Sequence, residues 1–106
     1  MLLAGMFRRR LRREGEQIRA RQALLQRQEE ALHLPGGSPE RPIVIDSPSV
    51  VEPKAESVQC PICGGDLRVS EHRAEVIDGA RLRVARVHCS MCGDERDIFF
   101  QLRSQT

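Results

Sequence analysis

The four cysteines of the chain stand in two copies of one short pattern, "CPICGG" from Cys60 and "CSMCGD" from Cys89. Thiols at positions i and i+3 of a tight turn converge on one ion, and a second such turn brought alongside completes a tetrahedron. The pairs are separated by 25 residues, enough for a hairpin that returns the second turn to the first. That arrangement meets the needs of one structural zinc ion per chain, held by Cys60, Cys63, Cys89 and Cys92. A glycine follows each pair, Gly64 and Gly93, at a position that commonly needs positive φ while backbone N–H groups point at the sulfurs. Pro61 fixes φ inside the first turn and removes a donor that would have no partner there.

Other chemistries open to paired cysteines fit less well. Two disulfides suit a secreted chain, but "MLLAGMFRRRLRR" places its charge after the apolar run, the reverse of a secretory leader. Its apolar run is also far shorter than the roughly 20 residues that span a bilayer. The expectation is an intracellular protein with reduced thiols, cytoplasmic, or nuclear in a eukaryote. A thioredoxin-type dithiol needs a helix start in an α/β setting, which neither pair has. Iron is the alternative metal, yet residues 60–106 carry 7 basic against 7 acidic residues, with only Phe99 and Phe100 as aromatics. His72 and His88 read as surface or supporting residues, because four thiolates already fill the tetrahedron. A closed four-thiolate site has no position for a reacting water, and the chain shows no phosphate loop, serine elbow or paired catalytic carboxylates. The expectation is a non-enzyme.

The elements that must position the thiols follow. "LRVSEHRAEVIDGARLRVARVH" holds two strand-like runs around Asp78-Gly79, a turn pair that supplies positive φ for a tight hairpin. With those two as the loop, Ile77 faces Ala80 and Glu71 faces Arg86. A third run, "RDIFFQLR", is the most apolar, and Phe99 or Phe100 is expected to anchor the core. With 3 phenylalanines and no tryptophan or tyrosine in 106 residues, burial alone is weak support for the fold.

The two knuckles resemble those of the zinc ribbon, a family built from two rubredoxin-type turns on a three-stranded antiparallel sheet. The resemblance covers residues 58–102 and rests on Cys60, Cys63, Cys89, Cys92, Gly64 and Gly93. It implies a fold and a metal; ribbons serve many functions, so it implies no single one.

Three segments result: a basic helix over 1–34, a flexible linker rich in proline, serine and acid over 35–57, and the ribbon over 58–106. The first carries 8 arginines against 4 glutamates, with Leu11, Ile18, Leu25 and Leu32 one heptad apart. The second seam position falls on Phe7, Glu14, Arg21 and Gln28, so the apolar stripe is narrow, and Gly15 weakens the helix further. "LPGGSPERP" should end it at Leu34. His33 there reads as a donor near the last carbonyls. Within the linker, Ile43 to Ser47 has the look of a strand that docks on a partner's sheet edge. The leading functional expectation is a zinc-binding adaptor or regulator acting through protein contacts. A nucleic-acid protein using Arg8, Arg9, Arg10, Arg12 and Arg13 on phosphates is the second. Attachment to a membrane surface through Leu3, Phe7 and Leu11 is the third, and self-association through residues 2–34 is also open.

Overall fold

The structure is a computed structural model that describes residues 2–103, with side chains from residue 8 onward. Helix α1 (Leu2–Leu32) precedes strand β1 (Ile43–Ile45), a 3₁₀ turn (Pro48–Val50), helix α2 (Val51–Ser57) and strands β2 (Leu67–Ile77), β3 (Ala80–Cys89) and β4 (Glu95–Leu102). The sheet runs β1-β4-β3-β2. β2, β3 and β4 are antiparallel neighbours, while β1 lies parallel to β4, with Ile43 opposite Phe100 and Ile45 opposite Leu102.

Two expectations are corrected here. The sheet is four-stranded and mixed, not a three-stranded antiparallel ribbon, and residues 43–57 are not a flexible linker. Ile43, Val44 and Ile45 do dock as an added strand, but on the edge of their own sheet. Ser47 then accepts a hydrogen bond from Ser49 N–H (3.3 Å) at the head of the 3₁₀ turn, where Pro48 supplies a preset φ. Pro53 falls in the first turn of α2, where a missing N–H costs nothing. Val51 and Ala55, one turn apart, are both fully buried.

The hairpin forms as its turn pair dictates. Asp78 and Gly79 have φ of 50° and 82°, Ile77 is opposite Ala80, and Glu71 is opposite Arg86. A register shift between Val69 and Glu71 re-phases the start of β2, so that Leu67 and Val69 face the core. That core joins Leu67, Ala85, Val87, Ile98, Phe100 and Leu102 of the sheet to Ile45, Val51 and Ala55 of the segment that covers it. Phe100 is the anchor; Phe99 is half-buried.

On the opposite face the apolar row is narrow and charges cover it. Arg73 of β2 reaches Asp97 of β4 at 3.2 Å, spanning β3, and also meets Glu75 at 2.9 Å. Val84, which the register places in one row with Arg73 and Phe99, is fully buried; long arginine stems cover apolar surface while their heads stay wet. Arg86 turns to Glu95 (3.3 Å) and Asp97 (3.5 Å) rather than to Glu71.

α1 projects from this body. The radius of gyration is 19.2 Å, against about 13 Å for a compact chain of this length, and the long dimension is 72 Å. Among the described side chains of the helix, those near its end touch the body: Ala31 is 2% exposed, and Arg27 donates to the Ile62 carbonyl at 2.9 Å. The chain then turns through Gly36 and Gly37, where no larger residue fits. A Cβ on Gly37 would lie 2.1 Å from the Ala31 carbonyl oxygen, and one on Gly36 would lie 2.8 Å from Ile98. Gly36 in turn accepts from the Phe99 N–H at 2.9 Å, which extends the cover of the β4 edge. The cap expected of His33 is supplied instead by Arg41, which donates to the His33 carbonyl at 3.2 Å. The side chains of Leu3 and Phe7, most of the face expected at a membrane, lie outside the described residues. Among those described, no helix is long and apolar enough to cross a membrane.

Candidate metal centre

The two knuckles are near copies in hydrogen bonding as well as in sequence. Cys60 N–H donates to the Gly65 carbonyl (2.9 Å) and Gly64 N–H to the Cys60 carbonyl (2.8 Å); Cys89 N–H donates to Asp94 (2.9 Å) and Gly93 N–H to Cys89 (2.9 Å). Gly64 and Gly93 both have φ of 79°. A Cβ at either would meet nothing within 4 Å, so it is the backbone conformation, and not lack of room, that requires glycine.

The hairpin brings the knuckles together. Leu67, just after the first knuckle, is opposite Cys89, the first residue of the second. The thiol sulfurs of all four cysteines then lie within 4.8 Å of one another, with Cys63–Cys89 at 3.4 Å and Cys60–Cys92 at 3.7 Å. Metal–sulfur bonds of about 2.3 Å place the sulfurs of a regular tetrahedron about 3.8 Å apart, so the set fits a single four-coordinate ion. Among the described residues this set contains cysteines alone, and His72 and His88 are no part of it. Cys60 and Cys89 are buried as part of the core, while Cys63 and Cys92 are exposed. The site is thus a clasp at one end of the sheet, half inside the body.

The thiols perturb one another as ligands awaiting a cation should. The Cys92 and Met91 N–H groups pull Cys89 down to about 7, against the effect of burial, with Cys63 and Cys92 adding to the pull. Cys92 is pushed up to about 12: the Asp94 N–H favours its thiolate, but burial and the three neighbouring sulfurs outweigh it. Cys63 is also raised, the Gly65 N–H being outweighed by Cys89 and burial. Four crowded sulfurs do not ionise together unless positive charge is supplied among them.

Spacing alone does not single out two features that the geometry brings to the site. A Cβ on Gly65 would lie 2.7 Å from Met91 and 3.0 Å from the Cys89 sulfur, so the doubled glycine of the first knuckle lets the second approach. Arg96 and Asp94, both largely buried, form an ion pair at 2.7 Å beside the second knuckle. The arginine cluster Arg8, Arg9, Arg10, Arg12 and Arg13 sits apart from the centre, exposed on α1. Compared with protein-family models, with curated proteins and with solved structures, the chain matches none.

Proposed function

We propose that the chain is a non-enzymatic adaptor: a platform closed by one zinc ion, in the manner of a zinc ribbon with an added strand, from which α1 projects to contact another protein inside the cell. The observation that carries this reading is the exposure of the arm. Every residue from Arg8 to Glu30 is exposed except Gly15, so apart from the Arg27 bond to the Ile62 carbonyl the body makes no use of that length of helix. Zinc is the metal that four thiolates in a closed tetrahedron suit best, and such a site leaves no open position for substrate. Of the seven arginines in residues 60–106, Arg73, Arg86, Arg96 and Arg103 are paired with acids, which lowers the positive charge the body offers to phosphates.

A second reading, nucleic-acid binding through the arm, has one observation in its favour. Of Arg8, Arg9, Arg10, Arg12 and Arg13, only Arg10 has a carboxylate partner among the described residues, Glu14 at 3.3 Å. Affinity capture with the metal-loaded full chain and with residues 35–106, before and after nuclease treatment, separates the two. The adaptor reading expects the same proteins retained after nuclease and at high salt, and absent when the arm is removed; an eluate emptied by nuclease would overturn it. If the arm instead clamps phosphates, changing the five arginines to glutamine lowers the slope of log affinity against log salt by about 0.9 for each phosphate no longer neutralised. The metal content stays at one per chain.

A further inference from the structure

Leu11, Ile18, Leu25 and Leu32 form the apolar stripe of α1, and they are 51%, 58%, 57% and 54% exposed. Nothing in the body covers them, and the helix geometry explains why. At 3.6 residues per turn, the centre of the stripe lies roughly 130–170° around the axis from Ala31 and Arg27, the two residues that face the body, while Leu32 at its end is about 100° from Ala31. From Leu11 to Leu25 the stripe therefore faces away from the body, with open space for a second helix.

The geometry points to a second copy of this chain as its occupant, paired antiparallel about a two-fold axis near Ile18. That register sets Ile18 against the partner's Ile18 and Leu11 against the partner's Leu25. The flanking charges then select it. On one side of the stripe Glu14 meets the partner's Arg21, and on the other Glu29 meets the partner's Arg8; the two-fold axis generates each pair twice. A parallel pair instead sets Glu14 against Glu14, Arg21 against Arg21, and gathers the arginines of both N-terminal clusters at one end. The antiparallel register that would match all four stripe residues, Leu11 to Leu32 and Ile18 to Leu25, brings Arg21 against Arg21 at its axis. Pairing about Ile18 has opposite charges on both flanks and keeps the two bodies at opposite ends. The present bond of Glu14 to Arg10, between side chains 80% and 53% exposed, is of the weak surface kind and does not hold Glu14 from a partner.

The inference does not rest on the metal or on the identity of any other partner, and it is tested on the metal-loaded full chain by sedimentation equilibrium. Mass should rise from 12.0 kDa toward twice that value as concentration is raised over two orders of magnitude. Ile18→Glu should weaken the dimer by about a hundredfold or more, since each dimer loses two buried isoleucines. Glu14→Arg and Arg21→Glu should each weaken it, and the two combined should restore it, because the combined variant re-forms both cross-pairs with reversed sign. A mass that stays at 12.0 kDa at the highest concentration, or association untouched by Ile18→Glu, would overturn the dimer. A combined variant no better than the single ones would overturn the antiparallel register about Ile18. Circular dichroism on each variant, with helical signal retained, ties the result to pairing and not to loss of the helix.

Discussion

Stripping the metal from the full chain with a strong chelator is expected to unfold the body, including β1 and α2, while most of α1 stays helical. The core is too small to hold alone. It has Phe100, Leu67, Val51, Val84 and Val87 as its largest fully buried apolar side chains apart from cysteine, and single cores in domains of this size rarely supply more than about 3–5 kcal/mol. A structural zinc ion contributes on the order of 10 kcal/mol. Two of the proposed ligands, Cys60 and Cys89, are core residues themselves, so loss of the ion is expected to loosen the packing as well as the clasp. Only the end of α1 depends on the centre, through Arg27 on the Ile62 carbonyl and Ala31 against the loop. Loading must expel the proton that Cys92, pushed up to about 12, carries at neutral pH, while Cys89 at about 7 is already near half-ionised. The bound, folded state thus holds fewer protons than the unfolded chain, and both metal affinity and stability fall as pH is lowered. Circular dichroism and thiol titration with and without chelator, over a pH series, check this. Slowly exchanging β3 amides in a reduced, metal-free chain would show that the core suffices.

The parts of this architecture legible in sequence are those governed by local chemistry. Asp78-Gly79 sets its hairpin register down to Glu71 opposite Arg86, because a two-residue turn leaves no freedom in pairing until the bulge at Ser70. The knuckles are legible because thiolate spacing and positive φ at Gly64 and Gly93 are local needs. Residues 43–57 are not, because their punctuation has two meanings. Ser47, Pro48 and Pro53 are tether residues by composition and helix-start residues by position. What decides between these meanings is a non-local contact: Val51 and Ala55 have a sheet to cover. A signal was present in β4. Its Ile98, Phe100 and Leu102 would stand on an edge strand of a three-stranded sheet, and an apolar edge with unpaired N–H groups is a liability that folds cover. Ile43 to Ile45 is the nearby stretch with the composition to do so.

That contrast gives the second large effect, at two adjacent positions. Val51 is 0% exposed, packed at the start of α2, and Val50 is 40% exposed. Val51→Asp places a carboxylate in the apolar core, and the residues gathered there (Ile45, Ala55, Leu67, Phe100) offer it no side-chain donor. An unpaired buried charge costs several kcal/mol, about 3–5 by analogy with broken buried pairs. For a domain this small, that corresponds to a fall in melting temperature of roughly 15–30 °C. Val50→Asp leaves its carboxylate in water, and surface changes of that kind stay within about 0.5 kcal/mol. A thermal melt of the metal-loaded protein followed in the sheet signal distinguishes the two variants. If residues 43–57 were a tether, both would be silent. If the zinc clasp alone held the body, Val51→Asp would still melt with the parent chain. A gap of tens of degrees between substitutions one residue apart requires what the fold asserts: that α2 is one wall of the core and Val51 points into it.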